Sequence, residues 1–241
     1  MKIFLQSSLV LLAMLGVAVA SAQSPRADIS WMAGGHEQIV SVSYSPDGTI
    51  LGSGGHFGDS IKLWRTSDGS MVRTLNNTNG NAFIFGPMGP VTFFPDGRTI
   101  IALGEGAGPG FWSAPGGTLL RELNLGGNNL ALNRDGTLLA ISSTSSIKLV
   151  RPSDGVVVRT ITWPSNFVQE IAFSLDGTVV AGADQGGMLR TFRVADGAPL
   201  LSIPAHTDYI NALRYSPDGT RIATGSSDRT VKLWNSSTGR I

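Results

Sequence analysis

Apolar and polar residues alternate in short runs along most of the chain, and turn sequences separate these runs at regular intervals. The clearest run, from Ile210 to Tyr215, precedes the turn Ser216-Pro217-Asp218-Gly219. Alternation with a period of two indicates a strand with one buried face, and Pro, Asp and Gly favour a tight turn. Two further short strands are predicted from Arg221 to Gly225 and from Val231 to Trp234. The segment therefore predicts an antiparallel meander.

The same pattern returns about every forty residues. Asp-Gly pairs recur with glycine spacings of 49, 39, 41 and 42 residues, at Gly48, Gly97, Gly136, Gly177 and Gly219. A second turn glycine follows five residues after an apolar position in each repeat, at Trp64, Trp112, Val150, Phe192 and Trp234. In the first four repeats a fourth strand is predicted after this glycine, at residues 71–75, 119–123, 157–161 and 199–203. Four short strands per repeat predict an all-β fold, a β-propeller of four-stranded antiparallel blades with five repeats visible.

Two of the repeats also resemble the WD-repeat (tryptophan-aspartate repeat) family. His206, the turn Ser216 to Gly219, Ser227-Asp228 and Val231 to Trp234 carry its signature, and residues 35–64 carry it almost as clearly. The resemblance implies that residues 34–241 form a β-propeller, usually of seven blades, that works as a binding platform. It also implies a hydrogen-bonded structural set in the first and fifth blades, namely His36, Ser53, Asp59 and Trp64, and His206, Thr224, Asp228 and Trp234. The three middle repeats lack the histidine.

The predicted strands allow two interpretations of how many blades the propeller has. The fifth repeat reaches Ile241 with three predicted strands, whereas residues 23–33 contain Asp28 to Met32, a stretch apolar enough for one outer strand. We expect this strand to lie beside Arg221 to Trp234 and complete the last blade, which would hide the sheet edge. A fragment that lacks two C-terminal repeats fits the same sequence. In an open arc, the end blades would self-associate or need a partner.

The first 22 residues differ from the repeats. Lys2 precedes an apolar stretch that reaches Ala20, and Ala20-Ser21-Ala22 has the small residues that a signal peptidase needs. We therefore predict a signal peptide over residues 1–22 and an exported protein, periplasmic or extracellular, with no membrane contact after cleavage. The alternative is an uncleaved membrane anchor, since the stretch approaches the roughly 20 residues that span a bilayer. Cleavage is favoured because Gln6-Ser7-Ser8 interrupts the apolar run.

Charge and composition narrow the function further. The chain has 18 Lys and Arg against 17 Asp and Glu and no cysteine, which argues against nucleic-acid binding and excludes disulfides and thiolate sites. No metal site, cofactor or catalytic residue is expected, because the predicted inner strands offer one carboxylate, Glu170, and one arginine, Arg214. The predicted function is a non-catalytic protein-interaction scaffold with an unknown partner. The alternative is a fragment of a larger propeller, such as a hydrolase or oxidoreductase.

Loop lengths vary at one end of the predicted blades and stay constant at the other. The longest insertion, residues 76–90, carries Phe83, Phe85 and Met88, and the hairpin predicted beside it carries His56 and Phe57. Aromatic and Met side chains are favoured anchors in protein interfaces. We expect these five residues to form the recognition surface. The alternative is that Phe83 and Phe85 turn inward and cap the core.

Overall fold

The structure is a computed structural model that describes residues 39–55, 61–75, 90–104, 108–164 and 167–241. These ranges contain nineteen β-strands and no helix, which confirms the all-β prediction. It follows that no helix within them is long and apolar enough to cross a membrane. The predicted signal peptide, residues 1–22, and the predicted outer strand within residues 23–33 lie outside the described residues.

The strands form five antiparallel sheets, here called blades 1 to 5, that follow one another along the chain. Blade 1 contains β1 (Ile39–Tyr44), β2 (Ile50–Gly55), β3 (Ile61–Arg65) and β4 (Met71–Leu75). Blade 2 contains β5 (Val91–Phe93), β6 (Thr99–Gly104), β7 (Gly108–Ser113) and β8 (Leu119–Glu122). Blade 3 contains β9 (Asn129–Leu132), β10 (Leu139–Ser142), β11 (Ser146–Val150) and β12 (Val157–Thr162). Blade 4 contains β13 (Val168–Phe173), β14 (Val179–Asp184), β15 (Met188–Arg193) and β16 (Pro199–Pro204). Blade 5 contains β17 (Ile210–Tyr215), β18 (Arg221–Ser226) and β19 (Val231–Asn235).

The Asp-Gly turns join the first and second strands of the blades. In blade 5 the Asp218 Oδ1 atom accepts hydrogen bonds from the Ser216 hydroxyl at 2.5 Å and from the Thr220 backbone N–H at 3.0 Å. The next residue, Gly219, has a φ of 71°. Because a side chain strains this left-handed conformation, glycine is the natural residue at this place. The turn sequence therefore fixes where each meander reverses.

The hydrophobic core lies at the borders between successive blades. In blade 1, Ile61 and Leu63 face blade 2, where they meet Val91 and Phe93. All four side chains are buried, with at most 7% of their surface exposed. We call the side of a blade that carries residues equivalent to Ile61 and Leu63 its forward face, and the side that carries residues equivalent to Val91 and Phe93 its rear face.

The same packing recurs at the three later borders. Forward faces meet rear faces in clusters that contain Leu103 with Leu130, Leu149 with Ile171, and Leu189 with Leu213. Each blade is too thin to bury both sides by itself, so each depends on its neighbours for a core.

Arginines on the outermost strands add polar contacts between neighbouring blades. Arg121 of blade 2 donates to the carbonyl oxygen of Ser153 in blade 3 at 2.8 Å. Arg159 of blade 3 donates to the carbonyl oxygens of Asp196 at 2.9 Å and Ala195 at 2.6 Å in blade 4. These contacts tie the rim of one blade to a turn of the next.

The first strands of all five blades surround one cavity of about 720 Å³. Its lining includes Val42, Val91, Leu130, Ile171 and Arg214, one from each of β1, β5, β9, β13 and β17. Five antiparallel sheets with their first strands around a shared cavity form a five-bladed β-propeller arrangement, as the repeat period predicted. We refer to the cavity as the central channel.

Candidate functional site

Polar side chains from three blades meet along the first strands that line the central channel. Asn129 of blade 3 donates from Nδ2 to the carbonyl oxygen of Gln169 at 2.8 Å and to Glu170 Oε1 at 3.1 Å. Arg214 of blade 5 donates to Glu170 Oε2 at 3.2 Å. The structure thus brings together the two charged residues that the sequence assigned to the inner strands. We call Asn129, Gln169, Glu170, Asn211 and Arg214 the channel mouth.

Further hydrogen bonds extend the channel mouth around the channel. Gln169 Nε2 donates to Asn211 Oδ1 at 3.3 Å, and Asn211 Nδ2 donates to the Ser227 hydroxyl at 2.7 Å. Gln185 Nε2 donates to Gln169 Oε1 at 3.2 Å. The network orients several amide groups in a part of the channel that blades 3, 4 and 5 share.

Burial and neighbouring charge have opposite effects on the pKa of Glu170. Its side chain is 12% exposed, and loss of solvation raises the pKa of the carboxyl group above its usual value. The Arg214 guanidinium and the hydrogen bonds from Arg214 and Asn129 act in the opposite direction but less strongly. Arg214 is 74% exposed, so most of its donors face solvent. The channel mouth can therefore offer hydrogen bonds and a positive charge to a bound polar group.

The described residues contain no group of three His, Asp or Glu side chains that could hold a metal ion.

In blade 5 the structure places the four predicted structural residues within hydrogen-bonding distance. His206 Nδ1 lies 2.9 Å from Asp228 Oδ2, and His206 Nε2 lies 2.8 Å from the Thr224 hydroxyl oxygen. Trp234 donates from its indole nitrogen to the same hydroxyl oxygen at 2.9 Å. The set spans the loop before β17 and the strands β18 and β19, so it fixes the blade from within.

The hydrogen bonds of this set show which ring nitrogen of His206 carries a proton. Asp228 can only accept when ionised, so His206 carries its proton on Nδ1 and Nε2 accepts from the Thr224 hydroxyl. The pKa of Asp228 is lowered, chiefly because the Thr230 hydroxyl donates to the carboxylate, with a further contribution from His206. His206 is buried and fully used in this arrangement, as a structural residue would be.

In blade 1 only half of the predicted set falls within the described residues. Trp64 donates from its indole nitrogen to the Ser53 hydroxyl at 2.8 Å, which matches the Trp234 contact in blade 5. His36 and Asp59 lie outside the described residues.

Blade 4 contains a buried polar cluster that the sequence did not predict. The Asp184 side chain is completely buried, and its Oδ2 atom accepts from the Trp163 indole nitrogen and from Arg190, both at 3.1 Å. Its Oδ1 atom accepts from the backbone N–H groups of Gly186 and Met188, both at 2.9 Å. The Arg190 guanidinium carbon also lies 5.0 Å from the centre of the Trp163 ring. A different set of residues therefore performs in blade 4 the task of the histidine set in blade 5.

The predicted recognition residues His56, Phe57, Phe83, Phe85 and Met88 lie outside the described residues. The strands that flank them show where the two segments join blade 1: Gly54 pairs with Ile61, and Ile61 pairs with Leu75. Residues 56–60 and 76–89 therefore connect to strands at the same end of blade 1. The first strand also begins at this end, because Ile39 pairs with Gly55. Asn129, Gln169 and Asn211 lie at the corresponding end of blades 3 to 5, whereas Arg214 lies further along β17 and reaches Glu170 from there.

A comparison with family models finds two matches to the model described as WD domain, G-beta repeat, over residues 30–65 and 197–235. A search of curated proteins finds no match. The second matched segment includes β16 of blade 4 and β17, β18 and β19 of blade 5. One sequence repeat therefore crosses a blade border and supplies the outer strand of one blade and three strands of the next.

Proposed function

Because the chain is a WD-repeat β-propeller, we propose that it is an exported, non-catalytic scaffold that binds another protein at the end where the inner strands begin. The channel mouth carries this proposal. Its amide groups and the exposed Arg214 are oriented by hydrogen bonds between blades, so they are preorganised to meet a polar segment of a partner.

The loops at this end support the same surface. They vary in length from blade to blade, whereas the turns at the other end keep almost the same length. Insertions gather where a scaffold presents its binding residues. We propose that Phe83, Phe85 and Met88, with His56 and Phe57, supply the apolar anchors beside the polar channel mouth.

Titration of a purified partner by calorimetry tests the surface, after affinity capture from the exported fraction has identified candidates. We expect Arg214→Ala and the double variant Phe83→Ser/Phe85→Ser each to weaken binding at least tenfold, with little change in melting temperature. Arg134→Ala is the matched control, because Arg134 is an exposed arginine in the turn at the opposite end of blade 3. Unchanged affinity in both test variants, or a large loss of stability in Phe83→Ser/Phe85→Ser, would contradict the proposed surface.

The proposal of export rests on Lys2, the apolar stretch that ends at Ala20, and the small residues Ala20 and Ala22. Edman sequencing of protein recovered from the periplasm or medium should begin at Gln23. A product that keeps Met1 and sediments with membranes would show an anchor instead.

The non-catalytic part of the proposal has its own test. We expect metal analysis of the purified protein, together with a panel of ester, lactone and glycoside substrates, to show neither a stoichiometric metal nor turnover. Turnover that Glu170→Gln abolishes would favour a propeller hydrolase, with Glu170 as its acid.

A further inference from the structure

The rear face of blade 1 is apolar and exposed. Val42 is 59% exposed and Tyr44 is 64% exposed. The equivalent residues of blade 2, Val91 and Phe93, are 3% and 7% exposed because blade 1 covers them. Blade 1 therefore presents a packing surface of the kind that the later blades bury.

The forward face of blade 5 is also apolar and exposed. Val231 is 77% exposed and Leu233 is 47% exposed. In blade 1 the equivalent residues, Ile61 and Leu63, are 0% and 1% exposed, since blade 2 covers them. Large exposed side chains in equivalent positions at both ends mark an unfilled interface.

The two exposed faces match each other in kind. At each described border, aliphatic residues of a forward face meet apolar residues from the first strand of the next blade, as Leu149 meets Ile171 and Leu189 meets Leu213. Val231 with Leu233 is an aliphatic surface of this kind, and Val42 with Tyr44 is such a first-strand surface. Both faces of one chain are exposed together, so that chain's own ends do not cover each other.

We propose that the forward face of blade 5 packs on the rear face of blade 1 in a second copy of this chain. The contact continues the blade-to-blade packing across a chain boundary. It joins two different surfaces, so it is heterologous, and it leaves one free face on each end of a dimer until the ring closes. The contact does not depend on the partner binding proposed above.

Sedimentation velocity over a range of concentrations tests the contact. The wild-type mass should rise with concentration above that of one chain. The forward variant, Val231→Asp/Leu233→Asp, and the rear variant, Val42→Asp/Tyr44→Asp, should each remain monomeric. A mixture of the two variants should form a one-to-one dimer, because each keeps the face that the other has lost.

The control is Val72→Asp, which places a charge on an exposed valine of the outer strand β4, away from both faces, and should assemble like wild type. Circular dichroism and melting temperature establish that the variants fold. A wild-type chain that stays monomeric at every concentration would overturn the proposal. A lower melting temperature in both face variants, with the same mass as wild type, would overturn it too. A dimer that persists in one face variant alone would show a symmetric contact through the remaining face and overturn the proposal as well.

Discussion

The variant Asp184→Asn measures how much a buried ion pair contributes to stability, and a second variant in the same blade measures an exposed pair for comparison. Asp184 is completely buried and accepts four hydrogen bonds, two on each carboxylate oxygen. An asparagine keeps the shape but has only one accepting oxygen. In either orientation its NH₂ group faces donors, either the backbone N–H groups or Trp163 with Arg190. Arg190, whose side chain is 13% exposed, would lose its carboxylate partner.

Removing one partner of a buried ion pair costs about 3–5 kcal/mol, and Asp184→Asn should fall near the lower bound because the asparagine still satisfies two donors. In a unit of this size each kcal/mol lowers the melting temperature by about 2–4 °C. We therefore expect a loss of about 3 kcal/mol and a melting temperature lower by roughly 6–12 °C. Urea denaturation followed by tryptophan fluorescence, together with thermal unfolding followed by circular dichroism, measures both quantities.

Asp196→Asn provides the matched control. Asp196 also binds a backbone N–H with Oδ1, that of Ala198 at 3.0 Å, and an arginine with Oδ2, Arg193 at 2.8 Å. Both side chains of this pair are about half exposed, at 51% and 52%. Exposed pairs contribute little because water screens them, so this variant should unfold like wild type. Equal stability of Asp184→Asn and wild type, or an equal loss in Asp196→Asn, would refute the reasoning.

Three further predictions concern the channel, the rim and the turns. Burial raises the pKa of Glu170, so the folded state holds the carboxyl proton more tightly than the unfolded state does. The stability of wild type should therefore fall relative to Glu170→Gln as the pH rises from about 4 to 7. Urea midpoints that move the other way would contradict this prediction. Arg159→Ala removes two hydrogen bonds between blades and should cost about 1–2 kcal/mol in urea unfolding, whereas Arg98→Ala, an exposed arginine, should cost nothing measurable. The Ser216 hydroxyl and the Thr220 N–H lower the pKa of Asp218 to about 2. The contribution of Asp218 to folding stability is therefore present above the unfolded pKa and is lost as the pH falls from about 4 towards 2. Asp218→Asn should lose less stability than wild type over this range in an acid titration.

Much of the fold could be predicted because local chemistry sets it. Gly48 and Gly69 have φ values of 71° and 69°, as expected for glycines that follow a turn-forming pair or close the second turn. The predicted outer strand Met71 to Leu75 is observed with the same bounds, and the predicted strand Val157 to Ile161 extends by one residue. Turns and alternation act within a few residues of one another, so the sequence displays them directly.

The polar clusters could not be predicted in the same way because they join distant residues. Trp163, Asp184 and Arg190 come from a loop and two strands, and no spacing motif connects an indole to a carboxylate 21 residues away. The sequence shows Glu170 and Arg214 as isolated charges, yet the packing of blade 4 beside blade 5 brings the Arg214 guanidinium within 3.2 Å of the Glu170 carboxylate. A signal was available for the channel mouth: Asn129 and Glu170 both lie seven residues before an Asp-Gly glycine.

The contrast between end blades and middle blades has a consequence for how the sequence tolerates change. Among the described residues, blade 5 packs against blade 4 alone, and its tryptophan, threonine, histidine and aspartate bind its strands together from within. Val150 and Phe192 replace the tryptophan in blades 3 and 4, where both flanks are covered and both side chains are buried in the packing between blades. Family resemblance should therefore fade fastest in the interior of such an array, and a search that relies on the hallmark residues will undercount its units.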